Sequence, residues 1–475
     1  MAKTNSTFSN IPRFVLLAIP FFGFVGLAIW FPLFPNVHTV PQLDVFSFSS
    51  SLFLGVTYAL IITLLYGLYL YIYRRLKVAP FKMPLATQLL AATFYGLPML
   101  MTYPINATDI YRYVIRGRIK STYGLNQFTA PPNAIPDDLF APLAGEWADA
   151  TSPYGPIWEL VATAVTAVTQ DNLGLGLVIL KLLGLGLHLA IGVLIWQMAK
   201  SAAVRSADTA SWLWLGNPAL LFIFVQNGHN DALMLGWGML AVYFLRGKRP
   251  YLAMFFAILA PLTKPIGLLI LPFIGLAAWR LFPNWKQKLG YMFASIGLFI
   301  LLGWVAFLPF GSPLALVQRL QGELIGGASF SPVTLFILFL LEFDVPFTFA
   351  RLSWILQSVY GGVGLWLMWL TFNGRSPLRS TSNMFWGYLL QAFNFRIWYA
   401  SWLFPWLLIE EKDDDYWLNT AVYFLLTTQL SVIIYSHIRA FLLGNNVFYS
   451  HLIGVLFTFG LPFLLASRYR VLAAR

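Results

Sequence analysis

Thr108-Asp-Ile-Tyr-Arg-Tyr-Val-Ile-Arg-Gly-Arg-Ile-Lys120 is a charged stretch set directly after an apolar run. It opens the longest polar interval of the chain, roughly residues 104–156. At about 100° per residue, Asp109, Arg112, Tyr113 and Arg116 fall within about 60° either side of Asp109. Tyr111 and Arg118 point the opposite way. One helix face then gathers a carboxylate, two guanidiniums and a phenol, which suits deprotonation of a hydroxyl beside a bound phosphate. A basic helix lying on lipid headgroups would carry the same face, so its neighbours must decide.

Working outward, the chain of 475 residues is 59% hydrophobic and 10% charged, with a mean hydropathy of +0.71. Soluble domains carry about 25% charged residues, so the composition indicates an all-α polytopic membrane protein. No interval between apolar runs is long enough to build a soluble core of its own. The formal charge of +12 fits Lys and Arg gathered in cytoplasmic loops, and nothing else points to nucleic acid. Cys is absent, which excludes disulfides and thiolate metal sites. The first apolar run reaches about Phe34 with no small-residue cleavage site behind it, so it reads as an uncleaved span.

Charge sets the expected threading. The first span, 12–34, leaves the cytoplasm from Lys3 and Arg13. The second, 52–73, returns to Arg74, Arg75, Lys77 and Lys82. A third, 85–103, puts the Asp109 loop on the extracytoplasmic side. Residues 157–170 are too short to cross and read as a re-entrant or interfacial helix. Spans at 174–199, 209–225 and 232–245 follow, flanked by Lys200, Arg205 and Arg246-Gly-Lys-Arg249 and turning outward at Gln226-Asn-Gly-His-Asn-Asp231.

Residues 251–280 are apolar but hold Lys264-Pro265 at their centre, with basic residues at both ends. The pattern predicts a hairpin with Lys264 at its tip, a position that costs about 3 kcal/mol at a helix centre and marks a functional site by default. Residues 384–410 predict a second hairpin with Asn394-Phe-Arg-Ile-Trp-Tyr399 at its tip. Spans at 290–309 and 350–372 enclose a Gly/Ser-rich outer loop, 310–332, and a short helix. The acidic run 410–415 reads as cytoplasmic. Two last spans, 417–436 and 449–467, leave Arg468, Arg470 and Arg475 inside. The total is about 12–14 membrane helices, with no sequence repeat and both termini cytoplasmic.

On this threading Asp109, Arg112, Arg116, Asp149, His229, Asp231, Lys264 and Arg396 converge on the outer half. A site there has no access to cytoplasmic nucleotide sugars or ATP, so an activated sugar donor must be lipid-linked. Arg grips phosphate with paired hydrogen bonds and Lys as a point charge. Bland alternatives stand beside each residue. Asp109 is also placed to cap a helix or pair with Arg112. Asp149 and Glu159 also read as solvated, and Lys264 as snorkelling near a helix end. His229 with Asp231 lacks a nearby third metal ligand.

Five motifs in order resemble one family. Thr108-Asp-Ile-Tyr-Arg-Tyr113 with Gly117 looks like the Asp-x-Tyr-x-Tyr…Gly signature of GT-C glycosyltransferases, in the polyprenol-phosphate-mannose-dependent mannosyltransferase group. Pro153-Tyr-Gly-Pro156, Gly228-His-Asn-Asp231, Leu262-Thr-Lys-Pro265 with Pro272, and Trp398-Tyr399…Trp402…Pro405 resemble its further motifs. The resemblance covers about residues 85–410. Residues 1–84 then read as a two-span N-terminal addition and 411–475 as a two-span C-terminal segment of a single membrane domain.

The resemblance implies transfer of a hexose, mannose first, from a polyprenyl-phosphate donor to an extracytoplasmic glycan or lipid acceptor, with inversion. It assigns Asp109 as the base and Arg112, Arg116, Lys264 and Arg396 to the donor phosphate. Tyr113, Tyr154, His229, Asn230, Asp231, Trp398 and Tyr399 would bind substrate. Relatives with paired acidic residues leave a divalent cation open, since Asp109 stands alone here. The rival reading from another class is a transporter or lipid flippase, because broken helices and an intramembrane lysine suit transport as well.

Overall fold

The computed structural model describes residues 13–77, 82–201, 206–323, 330–410 and 415–473. Lys3, Arg205, Arg475 and most of the acidic run 410–415 lie outside the described residues, as does the side chain of Arg470. Among the described residues the chain is helical throughout, with no strand and one isolated bridge between Pro32 and Thr102. Among the described residues six helices are long and apolar enough to cross a bilayer. They include Leu52–Leu76, Leu173–Ser201, Trp285–Phe307 and Phe349–Phe372. Six shorter apolar helices accompany them, and the chain is an integral membrane protein.

Helix starts follow capping chemistry. Ser51, Ser206, Asn284, Ser331 and Thr348 each accept a backbone N–H two or three residues into the following helix. The second hairpin begins at Pro377 rather than at 384, because proline is favoured in the first turn and Ser376 precedes it. The span expected at 209–225 is broken. Ala207–Leu215 stops at Gly216, and the chain resumes at Pro218 with a π-turn over Phe222–Gln226. Asn217 sits in the break, held by the Tyr66 hydroxyl at 3.0 Å, while the Tyr69 hydroxyl donates to the Leu213 carbonyl at 2.9 Å. The outer loop expected at 310–332 contains a further helix, Leu314–Glu323.

Both hairpins exist. Pro250–Thr263 and Leu271–Trp279 flank an extended Lys264 and a 3-10 turn, Pro265–Leu269. Pro377–Gln391 turns through Arg396 into Ile397–Leu403 and Phe404–Leu408. The polar loop is clamped to the first of these. Gly155 N–H donates to the Thr263 carbonyl at 3.0 Å, and a Cβ on Gly155 would overlap the Leu262 carbonyl. The loop helix Asp109–Ser121 lies equally close to Pro156–Thr169, where a Cβ on Gly117 would strike the Ala162 carbonyl. Two glycines of the motifs are therefore contact points that draw Asp109, Tyr154 and Lys264 together.

Candidate active site

The loop helix begins at Asp109, and Thr108 before it makes no side-chain cap. The Asp109 carboxylate is therefore turned away from capping, into a cavity of about 790 Å³. Arg112, one turn on, donates to Oδ1 at 2.6 Å. Oδ2 accepts from the Tyr154 hydroxyl at 3.5 Å and lies 3.9 Å from His229 Nδ1. Burial alone would raise the Asp109 carboxyl. Arg112 foremost, with Lys264 and Arg396 behind it, outweighs burial and holds the group below the usual carboxylate range. Asp109 is thus an anion at neutral pH at the cavity wall.

Arg116 is 2% exposed and lines the same cavity. Its Nη2 reaches the Thr151 carbonyl at 3.4 Å, while Nε and Nη1 are buried without a hydrogen-bond partner. The guanidinium lies 5.5 Å over the Tyr154 ring. Arg319, from the Leu314–Glu323 helix, donates to the same Thr151 carbonyl at 3.3 Å. Two guanidiniums therefore converge on one carbonyl.

Lys264 enters from the first hairpin tip. Its Nζ is 2.8 Å from Asp231 Oδ1 and lies over the rings of Tyr154, Tyr399 and Trp402 at 5.3–5.9 Å. The Trp402 indole N–H also donates to Asp231 Oδ1. Asp231 itself is fully buried behind Lys264, so it orients the ammonium rather than facing the cavity. His229 stacks on Trp398 with ring centres 4.2 Å apart. Burial pushes its imidazole down to about 4, against the pull of Asp109 and Asp231, so the ring is neutral and both its nitrogens lack partners.

Of the residues expected from sequence, Asp109, Arg112, Arg116, Tyr154, Lys264, Arg396, Trp398 and Tyr399 line the cavity. Tyr113, His229, Asn230 and Asp231 form the layer behind it. Tyr113 packs edge-on against Tyr154 and Trp158. Asp149 is exposed and bonded to Asn133, while Glu159 is buried and accepts from the Ser152 hydroxyl. Among the described residues no group of three or more His, Asp or Glu is arranged to hold a metal ion.

Sequence reasoning passes over several wall residues: Glu146 and Trp147 from the polar loop, Leu320, and Gln357 and Tyr388 from the long helices. Trp147 carries no motif, yet it lies 4.8 Å beneath the Arg112 guanidinium. Leu316 and Leu320, four residues apart, are the periodic signal that a helix interrupts the supposed loop.

A family model described as "Alpha-(1->6)-mannopyranosyltransferase, N-terminal domain" matches residues 22–280, more than half of the chain. The chain is 27% identical over 190 residues to alpha-(1->6)-mannopyranosyltransferase A of Corynebacterium glutamicum, covering 39% of this chain and 38% of that protein. It is 25% identical over 231 residues to alpha-(1->6)-mannopyranosyltransferase A of Mycobacterium tuberculosis, covering 48% and 43%. A third relative, alpha-(1->6)-mannopyranosyltransferase B of Corynebacterium glutamicum, is 27% identical over 202 residues, covering 39% and 33%. The matched segments span less than half the length of each relative.

Proposed function

The chain belongs to the alpha-(1->6)-mannopyranosyltransferase family, and from that premise we propose that it moves a mannosyl unit from a polyprenyl-phosphate donor to a hydroxyl of an extracytoplasmic glycan or lipid acceptor. The observation that carries the reading is one cavity holding a buried carboxylate and an incompletely bonded guanidinium. Asp109 and Arg116 both line the space, and Arg116 keeps Nε and Nη1 buried without a hydrogen-bond partner. Ile266, Leu268 and Leu269 line the same cavity and give an isoprenoid chain an apolar wall.

In the proposed step Asp109 takes the proton of the acceptor hydroxyl. The hydroxyl oxygen then bonds to the anomeric carbon while the bond from that carbon to the phosphate oxygen breaks. The electron pair leaves on the phosphate, where Arg116, Lys264 and Arg396 stabilise the growing charge in a low-dielectric site. Attack opposite the leaving group inverts the anomeric carbon. Asp231 and Trp402 fix Lys264, and His229 with Trp398 supports the sugar side of the pocket. Positive charge on the flanking loops supports a cavity that faces away from the cytoplasm.

The test is donor choice. Membranes carrying the full chain are given mannose labelled on a polyprenyl phosphate or on a nucleotide diphosphate, and label in glycan or lipid is counted. The lipid-linked donor is expected to label the acceptor and the nucleotide-linked one is not. Transfer directly from the nucleotide sugar in purified protein would refute the donor assignment.

A further inference from the structure

A second large cavity, about 750 Å³, lies at the far end of the helices that carry the first. Asp231–Arg246 starts behind Lys264 and ends in this second cavity, its 16 residues spanning about 24 Å at 1.5 Å per residue. The Leu271–Trp279 arm ends there at Arg280, and Pro377–Gln391 begins there beside Arg375 and runs back to Gln391 at the first cavity. The two sites are therefore separate ends of the same helices.

Arg246, Arg280, Arg375 and Arg379 line this second space, against Glu410 as its one acidic wall residue among those described. Arg246 donates to the carbonyls of Met198 and Ile409, and Arg280 reaches the Thr371 carbonyl at 3.5 Å. The Nε of Arg375 is buried without a partner. Burial, and after it the neighbouring Arg379, pushes the Arg375 guanidinium down from its usual range, with Glu410 opposing.

Backbone charge adds to the side chains. Ser376, Pro377, Leu378 and Arg379 bring the positive end of a 15-residue helix to the wall. Its N-cap residue makes no side-chain cap, because the Ser376 hydroxyl donates to Glu410 at 2.7 Å. Ordinary loop arginines at a membrane surface need no cavity. Here they converge on a concave space with an apolar side formed by Ala277, Leu281, Leu378 and Trp417.

We propose that this arginine cavity binds a phosphate anion, taken either from the headgroup of an anionic phospholipid or from free phosphate. Guanidiniums pair with phosphate oxygens two at a time, and a helix N-terminus supplies backbone N–H groups to the same oxygens. Membrane basic pockets of this kind bind lipid phosphates when they face an anionic leaflet. The inference does not depend on the reading of the first cavity.

The test uses the purified full chain in phosphatidylcholine nanodiscs at constant ionic strength. Thermal unfolding is followed with added phosphatidylglycerol, with inorganic phosphate, and with chloride as the control. A rise in Tm of about 2–4 °C is expected from a phosphate source over chloride. A rise with phosphatidylglycerol alone assigns a lipid headgroup, and a rise with inorganic phosphate assigns the free ion. The rise should vanish in Arg375→Gln/Arg379→Gln, and also in Ala277→Trp, which fills the cavity while keeping every charge. Asp109→Asn should keep it. No rise in the wild type would leave the arginines to the acidic run beside Glu410 and overturn the proposal. An undiminished rise in Ala277→Trp would overturn it as well.

Discussion

Arg116 and Arg118 stand two residues apart on one helix and are equally buried, at 2% and 3% exposure, yet their surroundings are opposite. Arg118 is closed. It donates to Asp138 at 2.7 Å, Asp171 at 2.8 Å and the Gln170 carbonyl at 2.7 Å, and lies 4.7 Å over Phe140. Arg116 is open, with one long bond to a carbonyl and two nitrogens unpaired. Burying a charge is costly unless it is paired; the buried Glu159 carboxylate balances part of the Arg116 charge, and two of the guanidinium nitrogens still lack a hydrogen-bond partner. The closed face pins the loop, and the open face is the one proposed to hold the donor phosphate.

Exchanging the two residues' fates is the way to break that contrast. Arg118→Gln leaves Asp138 buried and unpaired, and should cost about 3–5 kcal/mol of stability, read as a fall in Tm, while transfer per folded molecule changes far less. Arg116→Gln should do the reverse. Transfer should fall by about 10²–10³-fold with a smaller fall in Tm than in Arg118→Gln, because Arg116 makes one long hydrogen bond and its charge reaches the buried Glu159 carboxylate. A large drop in Tm for Arg116→Gln would make both residues structural and erase the distinction.

Two smaller effects sharpen the description of the open face. The proposed step needs Asp109 ionised, and its carboxyl is held below the usual carboxylate range. The wild type should therefore show its acid limb below the usual carboxylate range. In Arg112→Gln the main opposing charge is gone and burial prevails, so the acid limb of the rate–pH profile should move to higher pH. Trp147→Ala removes the ring that lies under Arg112 and, at 6.0 Å, under Arg319, each contact worth about 0.5–1 kcal/mol, and should raise KM a few-fold at unchanged kcat.

Much of this was legible before any coordinates, for physical reasons. Apolar runs too long for soluble helices give the membrane class, and a lysine between two apolar arms gives a hairpin tip. Proline and glycine at fixed places give the turns that clamp the polar loop. What sequence does not carry is the identity of whatever lies opposite a buried charge. Lys181 shows this. It sits in an apolar span, fully buried, and invites the same functional reading as Lys264. Its ammonium instead donates to the carbonyls of Met99 and Thr102 at the end of Leu85–Leu100, where a cation satisfies orphan carbonyls and the helix dipole. Lys264 faces a carboxylate, three rings and open space. The two lysines are alike in their local sequence and differ only in partners brought from elsewhere in the chain. For the same reason Arg319, Gln357 and Tyr388 escaped notice, being placed by packing and carrying no motif.

The most direct measurement is transfer of labelled mannose from a polyprenyl phosphate by Asp109→Asn, beside the wild type, in membranes matched for folded protein. Asn keeps the shape of the side chain and cannot take the acceptor proton. Transfer is expected to fall by about 10²–10⁴-fold with expression and Tm intact. Turnover equal to the wild type would contradict the assignment of Asp109 as the base.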